Sequence, residues 1–292
     1  MKKRIERDYI GYLFILPNLL IYGAFIFIPL IFTVYYSVTD FNLFNANFIG
    51  IQNFQTLLND RHFKSALINT MIYTVCTVLI SLGLGLGLAL ALRSLIWGRK
   101  AFRLIVFLPY AVSIAAACMA WLYLYNNSHG VINYLLGLVG HPGRSWLREI
   151  HTVLPSLIVM GIWSAAGYVM VIFTAGLNSI PDYLYEAAVI DGANPIRRFL
   201  SITFPMLTPT TLFLFIMQMI SSFQVFVQIH VMTNGGPMNR STTVVHQIYL
   251  NAFEGFRMGY ASAQAIALLV IVGFLSIFIF RFGDRSTDIE VG

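Results

Sequence analysis

The sequence has little charge for its length. Only 10% of its 292 residues are Asp, Glu, Lys or Arg, and only 12 of those are acidic, whereas a typical soluble domain carries about 25% charged residues. Hydrophobic residues make up 58% of the chain and its mean hydropathy is +0.76. A soluble fold of this length cannot bury so much apolar surface, so lipid must be the solvent for most of the chain.

Cysteine and nucleotide-binding glycine motifs are scarce as well. Cys76 and Cys118 lie inside apolar runs, with neither metal-ligand spacing nor the loop placement of a disulfide, and we interpret them as small buried residues. No glycine-rich loop is followed by Lys and Ser or Thr, the signature of a phosphate-binding loop. We therefore predict no catalytic residue, no metal site and no resident cofactor in this chain.

Six apolar runs of membrane length are present. They cover residues 10–38, 67–92, 102–125, 152–178, 206–231 and 261–281. Each is about 20 residues or longer, enough to cross ~30 Å of hydrocarbon as a helix. Backbone groups in lipid must be bonded internally, and the alternating pattern of barrel strands is missing. The sequence thus predicts one all-α integral membrane domain, residues 1–292, with six transmembrane helices.

Lys and Arg are distributed unequally between the two sides of this arrangement. Twelve lie on the side that holds both termini and the second and fourth loops, and six lie on the other side. Because cytoplasmic loops are enriched in Lys and Arg, we expect both termini in the cytoplasm. The fourth loop, residues 179–205, is then cytoplasmic too. In the second run, Gly83 and Gly87 have the spacing typical of close helix–helix contact.

The loop at 179–205 carries several helix start and stop signals. Ser179, followed by Pro181 and Asp182, indicates a capped helix start. Gly192 is suited to the left-handed conformation that ends a helix. Asn194 before Pro195 indicates the cap of a second helix, which we expect Pro205 to end. The loop is therefore either a small docking unit of two short helices or a simple solvated connection.

The spacing of its residues resembles a known motif. The loop contains Glu186-Ala187-Ala188, then Gly192, Ile202 and Phe204-Pro205. This is similar to the EAA motif of membrane subunits of binding-protein-dependent ABC importers: E-A-A, three residues, G, nine residues, I, one residue, L-P. Phe204 replaces the leucine and is still apolar. The segments FLPYAV and TNGGPMNRSTTVVHQIYLNAF resemble the same group, the maltose-permease-like family for sugars and glycerol phosphates.

The resemblance implies that ATP hydrolysis and solute passage are carried out by different subunits. In this family the EAA helix is a coupling helix that sits in a groove on a cytoplasmic ATPase, which binds ATP and Mg. We expect a second homologous permease, two ATPases and an extracytoplasmic binding protein as partners. The binding protein would dock on the outer loops around Asn126–Trp146 and Asn234–Arg257. The complex is expected at the cell membrane. By this resemblance, the residues expected to contact the ATPase are Glu186, Ala187, Ala188 and Gly192. Their expected electrostatic neighbours are Asp191, Arg197 and Arg198.

Polar residues inside the fifth run suggest where a solute passes, since such residues are costly in lipid. If the run is one helix, they cover about 160° of its circumference. They are Gln218, Ser221, Ser222, Gln224 and Gln228. Trp163 and Tyr168, in the fourth run, are suited to stacking on a sugar ring. The alternative is that these residues only bond helix to helix and pack as core aromatics.

The resemblance leaves the transported solute open between a carbohydrate and glycerol 3-phosphate. No Lys or Arg lies deep in a predicted span, which favours a neutral sugar. The alternative is that a partner subunit supplies the charge for a phosphate. A stand-alone secondary transporter needs an intramembrane acid or histidine, and all twelve acids lie outside the spans. An intramembrane serine protease needs a histidine at membrane depth. We interpret His230 and His246 as solvated or interfacial.

Overall fold

The computed structural model describes residues 14–95 and 97–284, and the regular elements found in these ranges are helices. The chain groups into two compact units. One comprises Met1–Asp60 and Ile248–Val270, and the other comprises Arg61–Gln247 and Ile271–Gly292. The beginning of the first predicted span, residues 10–13, lies outside the described residues.

The helices are numbered here in chain order. They are α1 (Phe14–Ser37), α2 (Gln52–Asn59), α3 (Arg61–Ser94), α4 (Arg99–Ala111), α5 (Ile114–Leu124), α6 (Val131–Leu138), α7 (Val153–Asn178), α8 (Asp182–Ile190), α9 (Pro195–Met206), α10 (Thr208–Phe223), α11 (Val227–Met232), α12 (Val244–Tyr249) and α13 (Met258–Asp284).

The predicted apolar runs all fall on helices. In the described part of the chain, α1, α3, α7 and α13 are long and apolar enough to cross a membrane by themselves. The third run falls on a bent pair, α4 and α5, which meet at 98°. The fifth run begins at the end of α9, which meets α10 at 62°, and continues through α10 and α11. The count of spans therefore depends on whether each bent pair crosses once, which gives four to six.

Proline positions coincide with irregular turns inside the helices. The sequence predicts that Pro205 ends the helix opened by Pro195, and α9 ends one residue later, at Met206. A wider π-turn at Phe199–Thr203 directly precedes this proline, closed by a bond from the Phe204 N–H to the Phe199 carbonyl. A second π-turn, Gly23–Phe27, likewise precedes Pro29. The wider turn relieves the clash between a proline ring and the carbonyl four residues earlier, so the helix survives the proline.

The larger unit is packed around α3 and α7, and small residues set how closely they approach. A Cβ on Gly85 would lie 2.7 Å from the Val169 Cβ and 3.1 Å from the Met170 nitrogen. The predicted contact glycines are wrong in this respect: among the described residues, no atom lies within 4 Å of a Cβ placed on Gly83 or Gly87. Gly83 and Gly87 share one face of α3, as their spacing predicts, but α7 packs against the face that carries Gly85.

The smaller unit joins α1, α2 and the first turns of α13 through polar contacts. The side-chain amide of Asn53 donates to the carbonyls of Ser37 (2.9 Å) and Thr39 (2.8 Å), which follow the end of α1. The Tyr260 hydroxyl donates to the Asp60 carboxylate at 2.6 Å. In the described part of the chain, the apolar window of α1 contains no buried residue. Such an exposed apolar face is typical of a helix that contacts lipid.

Candidate coupling segment and transport cavity

Helix α8, which carries the EAA sequence, begins later than the capping signals suggest. Its first residue is Asp182, preceded by Pro181 in an extended conformation (ψ 134°), and no side chain caps it. Ser179 instead closes α7, where its hydroxyl donates to the Gly176 carbonyl at 2.7 Å. The predicted serine cap is thus wrong, because the unpaired carbonyls of α7 are nearer to this hydroxyl than the amides of α8 are.

The end of α8 depends on Gly192. Its φ is +73°, in the left-handed region. The Ala193 N–H donates to the Ala188 carbonyl at 2.9 Å, and the Gly192 N–H donates to the Val189 carbonyl at 3.0 Å. These two bonds are the Schellman motif, which satisfies the last carbonyls of a helix and turns the chain sharply. The conformation predicted for this glycine is confirmed.

The second short helix begins as its sequence predicts. Asn194 is the N-cap of α9, and its side-chain oxygen accepts a 2.8 Å bond from the Arg197 N–H. Pro195 takes the first helical position, where its missing N–H costs nothing. Arg197 is exposed and Arg198 is half-buried. The cap and the Schellman motif together hold α8 and α9 as a rigid corner.

The surface of this corner is more apolar than a solvated loop would be. Ile190 is 87% exposed, Ile196 is 71% exposed and Tyr183 is 64% exposed. Of the residues predicted for the ATPase contact, Ala188 and Arg198 are half-buried, and the exposed ones are Glu186, Ala187, Asp191, Gly192 and Arg197. Three large apolar side chains are thus exposed together at one tight polar turn.

Arg93, at the C-terminal end of α3, contacts α8. Its guanidinium lies 3.4 Å from the Asp182 carboxylate and 4.9 Å from the centre of the Tyr185 ring. The Tyr185 hydroxyl is in turn hydrogen-bonded to the Thr203 hydroxyl at 2.9 Å, which joins α8 to α9. Sequence reasoning missed Arg93, because an ion pair between residues so far apart in the chain leaves no local pattern.

A polar cavity of about 260 Å³ lies within the larger unit, between α3, α4, α5, α7, α10 and α11. All five polar residues predicted for the solute pathway line it, as do residues of four other helices. Its polar lining consists of Gln218, Ser221, Ser222, Gln224 and Gln228 with Tyr73, Thr77, Tyr110 and Ser164. Every described lining residue is uncharged.

The five pathway residues meet for a different reason from the one predicted. They do not share one face of a continuous helix, because α10 ends at Phe223 and α11 begins only at Val227. The Gln224 N–H bonds to the Ser221 carbonyl, as in a tightening last turn, and the chain then leaves the helix. The Thr243 hydroxyl donates to the Val225 carbonyl at 3.0 Å, which satisfies one backbone group at the break.

Two side chains show how the cavity is organised. The Tyr73 hydroxyl donates a 2.6 Å bond to the Gln228 Oε1, and both residues are buried. The Gln218 Nε2 is buried without a hydrogen-bond partner among the described residues. An unpaired buried amide is costly, and such groups commonly mark a ligand site. Sequence reasoning missed Tyr73 and Thr77, although with Asn69 they recur every fourth residue as a polar stripe on α3.

The two aromatic residues predicted to stack on a sugar do not line the cavity. The Trp163 ring packs edge-on against Trp121 at 5.6 Å, at the exposed edge of the core. The Tyr168 ring stacks on Tyr110 at 4.8 Å, and Tyr110 is the residue that reaches the cavity. Tyr168 thus packs against a residue of the cavity lining but does not itself line the cavity. Tyr110 directly follows Pro109 in α4.

The predicted outer loops meet at a second, larger cavity of about 590 Å³. Its lining includes Asn126, Ser128 and Ser145 from one loop and Asn234 from the other. Asn133 braces the first loop: its amide nitrogen donates to the Arg144 carbonyl at 3.0 Å, and its oxygen accepts from the indole N–H of Trp146 at 2.8 Å.

Of the two histidines predicted to be solvated or interfacial, His230 is half-buried and lines this cavity, and His246 is not solvated. His246 is fully buried, and its ring lies 5.7 Å from that of His230 and 6.0 Å from that of Phe226. The His246 Nε2 and the Asn234 Oδ1 are 3.2 Å apart. Burial, and to a smaller extent the neighbouring His230, lowers the pKa of His246 to about 4.

Comparison with known proteins identifies the family. Residues 83–288 match the model of the "Binding-protein-dependent transport system inner membrane component". The chain belongs to this family. It is a permease of a binding-protein-dependent ABC importer, a multi-pass protein of the inner membrane, as the resemblance at 186–205 implies.

Similar proteins share nearly the whole length of this permease. It is 35% identical, over 94% of each chain, to the sn-glycerol-3-phosphate transport system permease protein UgpA of Agrobacterium fabrum. It is also 35% identical to the UgpA of Rhizobium meliloti, again over 94% of each chain. A bacterial alginate ABC transporter, solved in complex with an alginate pentasaccharide-bound periplasmic protein, superposes with a TM-score of 0.87 at 26% identity, covering 99% of this permease and 98% of that chain. The fold is therefore that of the type I importer permeases.

Proposed function

We propose that this permease moves a small carbohydrate through the cavity lined by Tyr73, Gln218 and Gln228. The observation that carries the proposal is the lining itself, which is polar, uncharged among its described residues, and includes an unpartnered amide at Gln218. Amide and hydroxyl groups match the alternating donors and acceptors of a sugar. The alginate importer superposes on the permease over almost its whole length, which supports a saccharide-sized path.

Glycerol 3-phosphate is the second candidate. The permeases named for it are similar over 94% of the chain, a specific observation in its favour. A phosphate would need a cation, and the described lining of the cavity has none, so a second permease subunit would have to supply the charge. The two candidates thus differ in which subunit holds the charged end of the solute.

We further propose that α8 docks in a groove of an ATPase subunit and that the permease itself hydrolyses nothing. ATP and Mg then bind to the ATPase, and this chain holds neither metal nor cofactor. The exposed Ile190 and the acidic Glu186 support a protein partner at this corner. The full assembly comprises this permease, a second homologous permease, two ATPases and an extracytoplasmic binding protein received at the outer cavity.

The same proposal includes the topology. Six spans place both termini and the 179–205 loop in the cytoplasm, because the side with most of the Lys and Arg faces inward. A cysteine introduced at exposed Glu186 should then react with a membrane-impermeant maleimide only in inside-out vesicles, and one at exposed Asn127 only in right-side-out cells. The opposite labelling pattern would overturn the orientation.

Uptake into proteoliposomes tests the solute. The purified transporter, reconstituted with its ATPase and binding protein, is offered labelled oligosaccharides and labelled glycerol 3-phosphate. We expect ATP-dependent uptake of a saccharide, reduced about tenfold by Gln218→Leu, since a lost bond to a ligand hydroxyl corresponds to roughly 1.4 kcal/mol. Gln52→Leu, at an exposed position outside the cavity, is the matched control. Uptake of glycerol 3-phosphate alone would replace the carbohydrate proposal with the second candidate.

A further inference from the structure

Four basic side chains converge where α3 ends and α4 begins. With α7 they enclose a cavity of about 210 Å³, whose basic residues are Arg93, Arg99, Lys100 and Arg103. None of the described lining residues is acidic. Like charges held this close repel one another, so the arrangement costs free energy unless an anion joins it. The cavity is separate from the polar cavity proposed for the solute.

Contacts within the protein fix two of the four cations. The Arg99 guanidinium donates to the Arg93 carbonyl at 2.8 Å and also bonds to the Leu95 carbonyl, so it caps the end of α3. Arg93 is held by Asp182. Lys100 and Arg103 lie three residues apart on one face of α4, and neither has an ion-pair partner within the described ranges. Two charges therefore remain unneutralised at the cavity.

The start of α4 adds to this positive potential. Gly98 is its N-cap residue, with φ +76° and no side chain to accept a bond. The first amides of a helix lack partners within the helix, and the helix dipole places partial positive charge at that end. Backbone and side chains thus favour an anion at the same place.

An apolar groove continues from the basic cavity. Lys100 and Arg103 also line this second space, of about 410 Å³, and its other walls are Leu104, Phe107 and Val171. Leu104 is 68% exposed, so the groove opens at the surface. It lies along the contact of α4 with α7, two helices in the membrane-embedded part of a permease.

We infer that this composite site binds an anionic phospholipid. The phosphate occupies the basic cavity, and an acyl chain lies along the groove of Leu104, Phe107 and Val171. A soluble anion would use the cations but not the groove, and a neutral lipid would use the groove but leave Lys100 and Arg103 unpaired. Basic pockets between membrane helices bind acidic headgroups in this way. Trp97, 88% exposed in the same turn, is a residue type typical of the lipid–water interface.

Native mass spectrometry of the full chain, purified with the subunits that accompany it, tests this inference. The probes are phosphatidylglycerol, phosphatidylcholine and glycerol 1-phosphate. We expect phosphatidylglycerol to bind in preference to the other two. The double variant K100Q/R103Q should weaken its binding about thirtyfold, from the contribution of two basic residues at a lipid surface. Leu104→Asn should weaken it as well, although it removes no charge.

A matched control is available on another helix. Arg61 and Lys64 are also exposed cations three residues apart near the start of a helix, α3, and line none of these cavities. R61Q/K64Q should leave the affinity for phosphatidylglycerol unchanged. Equal losses in the two double variants would overturn the site in favour of general surface attraction. Displacement of the lipid by glycerol 1-phosphate, with no effect of Leu104→Asn, would overturn it in favour of a soluble-anion site.

Discussion

The hydroxyl of Tyr73 and the side-chain oxygen of Gln228 are joined by a 2.6 Å hydrogen bond across the polar cavity. This bond connects α3 to the short helix that follows the break in the fifth run. It sets the distance between two walls of the cavity. It also satisfies the hydrogen-bonding capacity of the buried Gln228 oxygen.

Tyr73→Phe should therefore weaken both the fold and transport. The change leaves the Gln228 oxygen buried without its donor, which costs about 1–3 kcal/mol of unfolding free energy. Thermal unfolding of the purified transporter and solute uptake measure the two effects. Tyr123→Phe, which removes a hydroxyl from a residue that is 62% exposed, is the control. Equal midpoints for the two variants would mean that the Tyr73 bond contributes nothing.

Gly192→Ala should loosen the coupling corner through its backbone alone. No described atom lies within 4 Å of a Cβ at this position, but φ is +73°. A residue with a Cβ costs about 1–2 kcal/mol there. We expect less ATPase to copurify with the variant and uptake to fall, with Gly192→Asn affected less because asparagine tolerates this conformation. Copurification at the native level with Gly192→Ala would contradict the proposed role of this corner.

Three glycines of α3 should respond differently to alanine. Gly85→Ala places a methyl group against Val169 and should lower stability by about 1–3 kcal/mol. Gly83→Ala and Gly87→Ala meet no described atom within 4 Å and should leave the thermal midpoint unchanged or slightly raised. Thermal unfolding of the three variants checks this order. A larger loss at Gly83 or Gly87 would indicate that a second subunit packs on that face.

His246 should make the stability of the permease depend on pH in the acidic range. Its pKa of about 4 in the fold lies below the ordinary value of 6.5. Above pH 6.5 both states are neutral and this residue has no effect. As the pH falls from 6.5 towards 4, only the unfolded state gains a proton, so the free energy of unfolding decreases. Thermal midpoints measured from pH 7.5 to 4.5 follow this loss.

Replacement of His246 separates its contribution from that of other groups. His246→Gln should flatten the decrease in thermal midpoint across this pH range, while His141→Gln, at an exposed position, should keep the native slope. If His246→Gln retains the full slope, other groups cause the pH dependence.

Local chemistry made much of this protein predictable. Low charge and long apolar runs predict helices in a membrane, and the cap at Asn194 and the turn at Gly192 follow from their residue types. Long-range geometry was not predictable in the same way. The break after Phe223 brings Gln224 and Gln228 into one cavity, and the bond from Thr243 that stabilises the break comes from a distant loop. Tyr110 likewise lines the cavity close to a bend, the one between α4 and α5, which the local sequence does not reveal.

Helix α3 is one continuous rod of 34 residues, about 51 Å long. Near one end, the Asn69 amide holds the carbonyls of Asn239 and Thr242, each at 3.0 Å. Tyr73 lies in the cavity, and at the other end Arg93 holds the corner that carries α8. An unbroken helix scarcely changes length when a force acts along its axis. A displacement of Arg93 along that axis therefore also displaces Tyr73 and Asn69, unless the helix bends. The glycines at 83, 85 and 87 lie between these points, and bending costs least there.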